Sequence, residues 1–126
     1  MRLVHNEAKG DDELTSQTLA STVEFADTFL SRARGLMFRR SVPDDYALVF
    51  QFDGPGTHDL HMVFVPFAID ALWLVDDEVV QKKRLRPWVG LGRATADTIV
   101  ELPAGAADDV EPGDVVHVEE GPAAVF

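Results

Sequence analysis

The sequence predicts a mainly β domain, either a β-sandwich or a partly open, jelly-roll-like barrel. Apolar segments of strand length recur along the chain, turn-forming residues separate them, and only one stretch has helical spacing. A chain of 126 residues, 46% of them hydrophobic, suits one domain with one core. We therefore expect a single β-rich domain over residues 1–120 and a frayed tail over residues 121–126.

The first third of the chain is expected to hold early strands and one short helix. A strand begins near Leu3, and residues 14–25 are rich in β-branched side chains, which favours one long strand or two linked by a bulge. Apolar residues then recur at helical spacing after Asp27 or Thr28, either of which suits an N-cap. The helix is predicted to stop near Gly35, because glycine adopts the left-handed conformation readily.

The remainder of the chain is expected to form an antiparallel meander followed by two more strands. Residues 53–56 and 76–77 have the composition of hairpin turns. Residues 86–94 indicate a loop, residues 104–109 a possible second helical turn, and residues 111–114 a turn. The strands predicted here are 46–52, 57–65, 69–75, 78–85, 98–102 and 115–119.

The charge balance disfavours two classes of partner. The chain has 22 acidic and 11 basic residues, for a formal net charge of -11. Such a field repels phosphates, so we expect no nucleic-acid partner and no membrane partner. Aspartate exceeds glutamate and lysine is scarce, which indicates a halophilic, haloarchaeal protein, since short carboxylates suit a cytosol of molar salt. An acidic mesophilic protein is the alternative.

Cysteine content and hydropathy give the expected location. The absence of cysteine excludes disulfides and thiolate chemistry. No apolar run reaches the roughly 20 residues that cross a bilayer, and the first ten residues do not resemble a signal peptide. A cytoplasmic protein is expected, with a monomer as the default and no cofactor.

A histidine pair, a lone aspartate and two basic stretches are the candidates for a site. His58 and His61 are three residues apart, but on a strand they point to opposite faces, so no metal site is expected. Asp70 lies in an apolar run and needs a partner, for which Arg34 and Arg39 are the candidates. A fold-organising ion pair is the preferred interpretation of Asp70, and an acid that orients a ligand is the alternative.

Cations are grouped in two stretches of this acidic chain. Residues 34–40 place three arginines beside apolar side chains, where they can attract a carboxylate or phosphate, or merely neutralise nearby acids. Residues 82–88 form a second basic stretch, which a strand would divide between two faces. No nucleophile elbow, phosphate-binding loop or dinucleotide fingerprint is present.

Three blocks resemble, in order and spacing, the family called domain of unknown function 192. They are ARGLMFR at residues 33–39, HMVFVPFAID at residues 61–70 with residues 73–76, and ELPAG at residues 101–105 followed by Gly113-Asp114. The resemblance covers about residues 23–119. Many members have Trp-Met-Lys-Asn-Thr where this chain has His-Met-Val-Phe-Val, so any role of that Lys, Asn or Thr is absent. The resemblance implies a β-sandwich-like fold with a small helical element, and no established activity.

The preferred functional hypothesis is a non-catalytic binding module for a small anionic ligand or a peptide. Its site is expected in a cleft near Arg34, Arg39, His61, Asp70 and Trp73. A protein-interaction or assembly module is the first alternative, and a contiguous exposed apolar patch would be its sign. A hydrolase that uses His61 and Asp70 as acid and base is the second, and it requires the two side chains to converge. No catalytic residue or metal ligand is assigned.

Overall fold

In the computed structural model, the chain folds into one open sheet of eight strands. The structure describes residues 1–8, 16–26 and 35–120. The spatial order of the strands is β2-β1-β8-β6-β5-β7-β4-β3, with β3 and β4 parallel and the other pairs antiparallel. A mainly β fold is confirmed, but the strands form one sheet instead of the two of a sandwich. The strands are β1 (Arg2–Asn6), β2 (Gln17–Ala20), β3 (Thr22–Phe25), β4 (Tyr46–His61), β5 (Ile69–Val75), β6 (Glu78–Leu85), β7 (Leu91–Pro103) and β8 (Val115–Glu119).

The two edge strands of this sheet are neighbours in sequence. Only Ser21 separates β2 from β3, although they lie at opposite ends of the strand order. The sheet must therefore curl until its edges approach each other. Asp45 holds this corner, because its carbonyl oxygen accepts hydrogen bonds from the N–H groups of Ser21 and Thr22, at 3.0 and 2.9 Å. The hydroxyl groups of Ser21 and Thr22 also donate hydrogen bonds to the Asp45 carboxylate. These bonds, and the one from Ser21 most strongly, lower the pKa of Asp45.

The prediction of a hairpin turn at residues 53–56 is wrong, because β4 is one continuous strand through these residues. Both of its halves pair with β7, and the register moves from Gln51 opposite Thr98 to Gly56 opposite Ala96. β4 thus advances five residues where β7 advances two, which leaves a bulge of three extra residues. Pro55 fits there because it has no N–H to give to a ladder. The loop that follows β6 is shorter than the expected 86–94, because β7 already begins at Leu91, where it pairs with the second half of β4.

No helix occurs in residues 1–8, 16–26 and 35–120, and none there could span a bilayer. The helix expected after Asp27 lies mostly outside the described residues. Residues 104–109 form successive turns in place of the expected helical turn, with N–H groups bonded to carbonyls three residues earlier. Gly105 has a φ of 97°, which interrupts a right-handed helical course. The hairpin expected at Asp76-Asp77 is confirmed, and both residues have positive φ, as a type I′ turn requires.

Apolar side chains cover both faces of the sheet. Alternation along β5 sends Ala71 and Trp73 to one face and Leu72 and Leu74 to the other. The face of Leu72 gathers apolar residues from all eight strands, as the inner side of a curled sheet does. The face of Trp73 is formed by β4, β5 and β7 with Leu85 at the end of β6, and loop residues such as Leu36 and Val65 cover it. The candidate site lies on this second face.

Candidate functional site

A cavity of about 200 Å³ opens between the sheet and the segments that cover it. Its walls come from residues 35–37, from both halves of β4, from Val65, and from Ile99 and Glu101 on β7. The β4 bulge makes this enclosure possible, because it lets one strand supply side chains on two sides. An apolar cavity of about 150 Å³ can hold a benzene-sized molecule, so this one suits a small ring-bearing ligand.

Glu101 is the polar group of the cavity that stands out. Its side chain is 5% exposed, and among the described residues no hydrogen bond reaches its Oε1 atom. Burial raises the pKa of Glu101 from 4.5 to about 7, while the nearby charge of Arg39 acts in the opposite direction. A buried acceptor without a partner costs about 1–3 kcal/mol. The cavity therefore contains a carboxyl group whose hydrogen-bonding capacity is unused.

Arg39 lies near this carboxyl group but is bonded elsewhere. Its guanidinium donates to the hydroxyl of Tyr46 at 3.1 Å and to a carboxylate oxygen of Glu24 at 3.4 Å. It also lies over the Tyr46 ring, 5.4 Å from the ring centre. Burial, followed by the hydrogen bond with Glu24, raises the pKa of Tyr46 above its usual range. Arg39 thus influences Glu101 through its field, without an ion pair between them.

Two histidines of β4 border the cavity. The ring of His58 stacks on Phe52 with centres 3.6 Å apart and planes inclined by 12°, which forms a flat aromatic wall. His61 is exposed at the end of β4, where its Nδ1 atom accepts a hydrogen bond from the N–H of Val63 at 3.3 Å. Asp59, between them, is held by Arg93, whose hydrogen bonds lower its pKa. The described residues contain no group of three His, Asp or Glu side chains arranged to hold a metal ion.

Trp73 lies beneath this region as a buried core residue. Its indole N–H donates to the carbonyl of His58 at 3.2 Å, so its polar atom is already bonded within the fold. The ring packs over Gly92, where a Cβ atom would come within 2.5 Å of it. Trp73 therefore supports the strand that carries His58, and it does not line the cavity.

Asp70 points away from the cavity. It alternates on β5 with Ile69 and Ala71, which face the cavity side. Its carboxylate accepts two hydrogen bonds from the Arg84 guanidinium, at 2.8 and 3.3 Å, and two from the N–H groups of Gly105 and Ala107. These bonds tie the 104–109 turns to the sheet.

The expected site residues are thus only partly brought together. His61 lines the cavity, and Arg39 lies near Glu101, but Asp70 is on the opposite face and Arg34 lies outside the described residues. The arginine that binds Asp70 is Arg84, not the expected Arg39. Because His61 and Asp70 do not converge, the structure does not support an acid–base pair between them. Glu101 was not among the expected site residues, although its alternation with Ile99 on a strand was an available signal.

Several archaeal proteins have similar sequences. The model of the family DUF192, described as "Uncharacterized ACR, COG1430", matches residues 12–118. A UPF0127 protein of Thermococcus sibiricus is 39% identical over 111 residues, which cover 82% of this chain and 71% of the relative. A UPF0127 protein of Thermococcus gammatolerans is 32% identical over 118 residues, with 90% and 73% covered.

Two crystal structures have the same fold. A protein from Sinorhizobium meliloti 1021, described as a proposed transcription regulator, superposes with a TM-score of 0.78 at 24% identity, over 92% of this chain and 91% of that one. A protein of unknown function from Novosphingobium aromaticivorans gives 0.74 at 20% identity, over 94% and 84%. At these identities the likeness establishes the fold alone. The family match and the archaeal relatives together show that this chain belongs to the uncharacterised DUF192 family.

Proposed function

We propose that this protein is a non-catalytic binding module that holds a small, largely apolar molecule in the cavity. The observation that carries the proposal is the unpartnered Oε1 atom of Glu101, buried against an otherwise mostly apolar lining. Ligand sites typically combine apolar walls with a few placed polar groups. Folded proteins rarely leave a buried acceptor without a donor, and a ligand would supply one.

The lining indicates the chemistry of the ligand. A hydroxyl or amine group would donate to Glu101, and a flat apolar body would lie beside the Phe52–His58 wall. An ionised Glu101 repels an anion, so the anionic group expected from the arginines would have to point outward, toward His61. None of the described lining residues is a serine, threonine, cysteine or lysine, so the cavity wall offers no hydroxyl, thiol or amine nucleophile.

The test uses three probes with the same ring and different polar groups: benzyl alcohol, benzylamine and benzoate. Each is added at 10 mM at pH 8, and the midpoint of thermal unfolding (Tm) is measured together with NMR shifts of the cavity residues. For a Kd near 1 mM, the alcohol or the amine should raise the Tm by roughly 5 °C. Benzoate should have a smaller effect, because Glu101 is then largely ionised.

Two variants make the result specific. Glu101→Leu replaces the carboxylate with an apolar side chain, so it should lose the preference for benzylamine over benzoate. Glu78→Gln, which changes an exposed carboxylate on β6, should behave as the unchanged protein. If no probe shifts the Tm or the cavity resonances, or if Glu101→Leu retains the preference, the cavity is not a ligand site of this kind.

A further inference from the structure

A second surface, separate from the cavity lining, exposes large apolar side chains. Phe38 is 62% exposed, Phe64 49% and Trp88 56%, and Val63 and Val89 beside them are also exposed. We call these five residues the aromatic ledge. Three aromatic side chains about half exposed present roughly 300 Å² of apolar surface, within the range at which such patches are often functional.

Backbone contacts join the three segments that carry the ledge. The N–H of Phe38 donates to the carbonyl of Phe64 at 2.8 Å, and the N–H of Trp88 donates to the carbonyl of Val65 at 3.0 Å. The rings of Phe38 and Phe64 stack with centres 4.9 Å apart. The ledge is therefore assembled from distant parts of the chain as one surface.

Backbone strain is concentrated in the same residues. Phe38, Phe64 and Trp88 have φ values of 68°, 61° and 66°, whereas the other described non-glycine residues with positive φ are the two of the β5–β6 turn. For a residue with a side chain this conformation costs roughly 1–2 kcal/mol. Strain of this kind is retained mainly where it serves a function, because glycine would remove it.

The charge of the ledge segments is opposite to that of the whole chain. Residues 36–40, 62–66 and 85–91 contain three arginines and no aspartate or glutamate, in a chain with twice as many acidic as basic residues. Arg40 and Arg86 are exposed, and neither makes an ion pair with another described residue. Two exposed cations that form no ion pair with a described residue are thus close in sequence to the exposed aromatic side chains.

We propose that the aromatic ledge is a docking surface for an acidic peptide segment of a partner protein. Apolar side chains of that segment would pack on Phe64 and Trp88, and its carboxylates would pair with Arg40 and Arg86. The net charge of -11 disfavours the two other large anions, nucleic acids and acidic membranes, because both would face the repulsion of the whole chain. A short peptide that contacts only the ledge largely escapes that repulsion.

The probe is a phage-displayed library of random twelve-residue peptides selected on the full chain. We expect the selected peptides to combine Asp or Glu with Phe, Trp or Leu. Labelled synthetic copies should bind Trp88→Gly at least tenfold more weakly, and Arg86→Glu at least fivefold more weakly with a smaller dependence on salt. Glycine is used at residue 88 because it accepts the positive φ, so the fold should be retained. Circular dichroism checks that it is.

Matched controls change the same chemistry elsewhere. Val115→Ala shortens an exposed apolar side chain of β8, and Arg2→Glu reverses an exposed cation of β1, and both should leave peptide binding unchanged. Selected peptides that are not acidic, or that bind all four variants equally, would overturn the proposal. So would a dimer, or binding to phosphatidylglycerol vesicles, that only the two ledge variants abolish. Glu101→Leu should not affect peptide binding, which keeps this test independent of the cavity.

Discussion

Replacing Glu101 with glutamine should remove a dependence of stability on pH. The side chain is buried, and burial raises the pKa of Glu101 to about 7 in the folded chain, against 4.5 when it is exposed. Between these values the folded state holds a proton that the unfolded state has released. The contribution of Glu101 to stability should therefore be greatest below about pH 4.5, fall as the pH rises toward 7, and remain constant above it.

The size of the effect follows from the same two values. At 1.36 kcal/mol for each pKa unit, a rise from 4.5 to about 7 corresponds to about 3 kcal/mol. Glutamine has the same shape and no charge. Glu101→Gln should be similar in stability to the unchanged protein at pH 5 and more stable by about 2–3 kcal/mol at pH 8.

Urea denaturation at pH 5, 6, 7 and 8 measures this difference. The other titratable groups are common to both proteins, so their contributions cancel when the free energies of unfolding are subtracted. Glu78→Gln is the control, because it removes an exposed carboxylate. If the difference in the free energy of unfolding between Glu101→Gln and the unchanged protein is the same at all four pH values, burial does not raise the pKa of Glu101.

Three further perturbations test the fold and the composition. Gly92→Ala should lower the free energy of unfolding, measured by urea denaturation, by about 2 kcal/mol, because the new Cβ atom would lie 2.5 Å from the Trp73 ring. Gly54→Ala, where the new Cβ atom has no neighbour within 4 Å, should leave it almost unchanged. Asp70→Asn should cost about 2–3 kcal/mol because four hydrogen bonds end on its buried carboxylate. Asp108→Asn, which changes the exposed acid on the same arginine, should cost under about 1 kcal/mol, and equal losses would contradict this assignment. If the acidic composition is halophilic, the Tm should rise by at least roughly 5 °C between 0.1 and 2 M KCl, and a flat profile would make that interpretation wrong.

The strands were predictable where local sequence determined their pairing. β5 and β6 flank Asp76-Asp77, and a two-residue turn with positive φ leaves the two segments one way to pair. Residues 53–56 have equally strong turn composition, yet they form a bulge. The difference lies in β7, which is distant in sequence and pairs with both halves of β4. Composition alone does not distinguish a hairpin turn from a bulge when a third strand determines the pairing.

The partner of Asp70 illustrates a signal that was available in the sequence. The hairpin places Asp70 opposite Arg84 on β6, after a one-residue irregularity in the pairing. If residues are counted outward from the turn, regular pairing places Lys83 opposite Asp70, and pairing with one extra residue in β6 places Arg84 there. A cation faces Asp70 in either register. The expected partners, Arg34 and Arg39, flank the end of the predicted helix, and this position is weaker evidence for a contact with Asp70 than cross-strand pairing.

The cavity was not predictable from the sequence, because segments that are distant in sequence form its walls. Alternation on β7 puts Glu101 on the face of Ile99, but whether that face is solvated depends on residues 35–37 and on the bulge in β4. The same holds for the ledge, since positive φ at Phe38, Phe64 and Trp88 is opposite to what aromatic residues favour. In both places tertiary contacts overrule local preference, and these are the two places where we infer binding.

The cavity and the ledge use the same segments but different side chains. Leu36 and Val65 line the cavity, and their neighbours Phe38 and Phe64 form the ledge. The hydrogen bond from the Phe38 N–H to the Phe64 carbonyl joins the two segments. A cavity ligand that altered the arrangement of Phe38 and Phe64 would change the affinity of the ledge, and by reciprocity a ledge partner would change the affinity of the cavity by the same factor. A ligand that fits without moving them leaves the two sites independent.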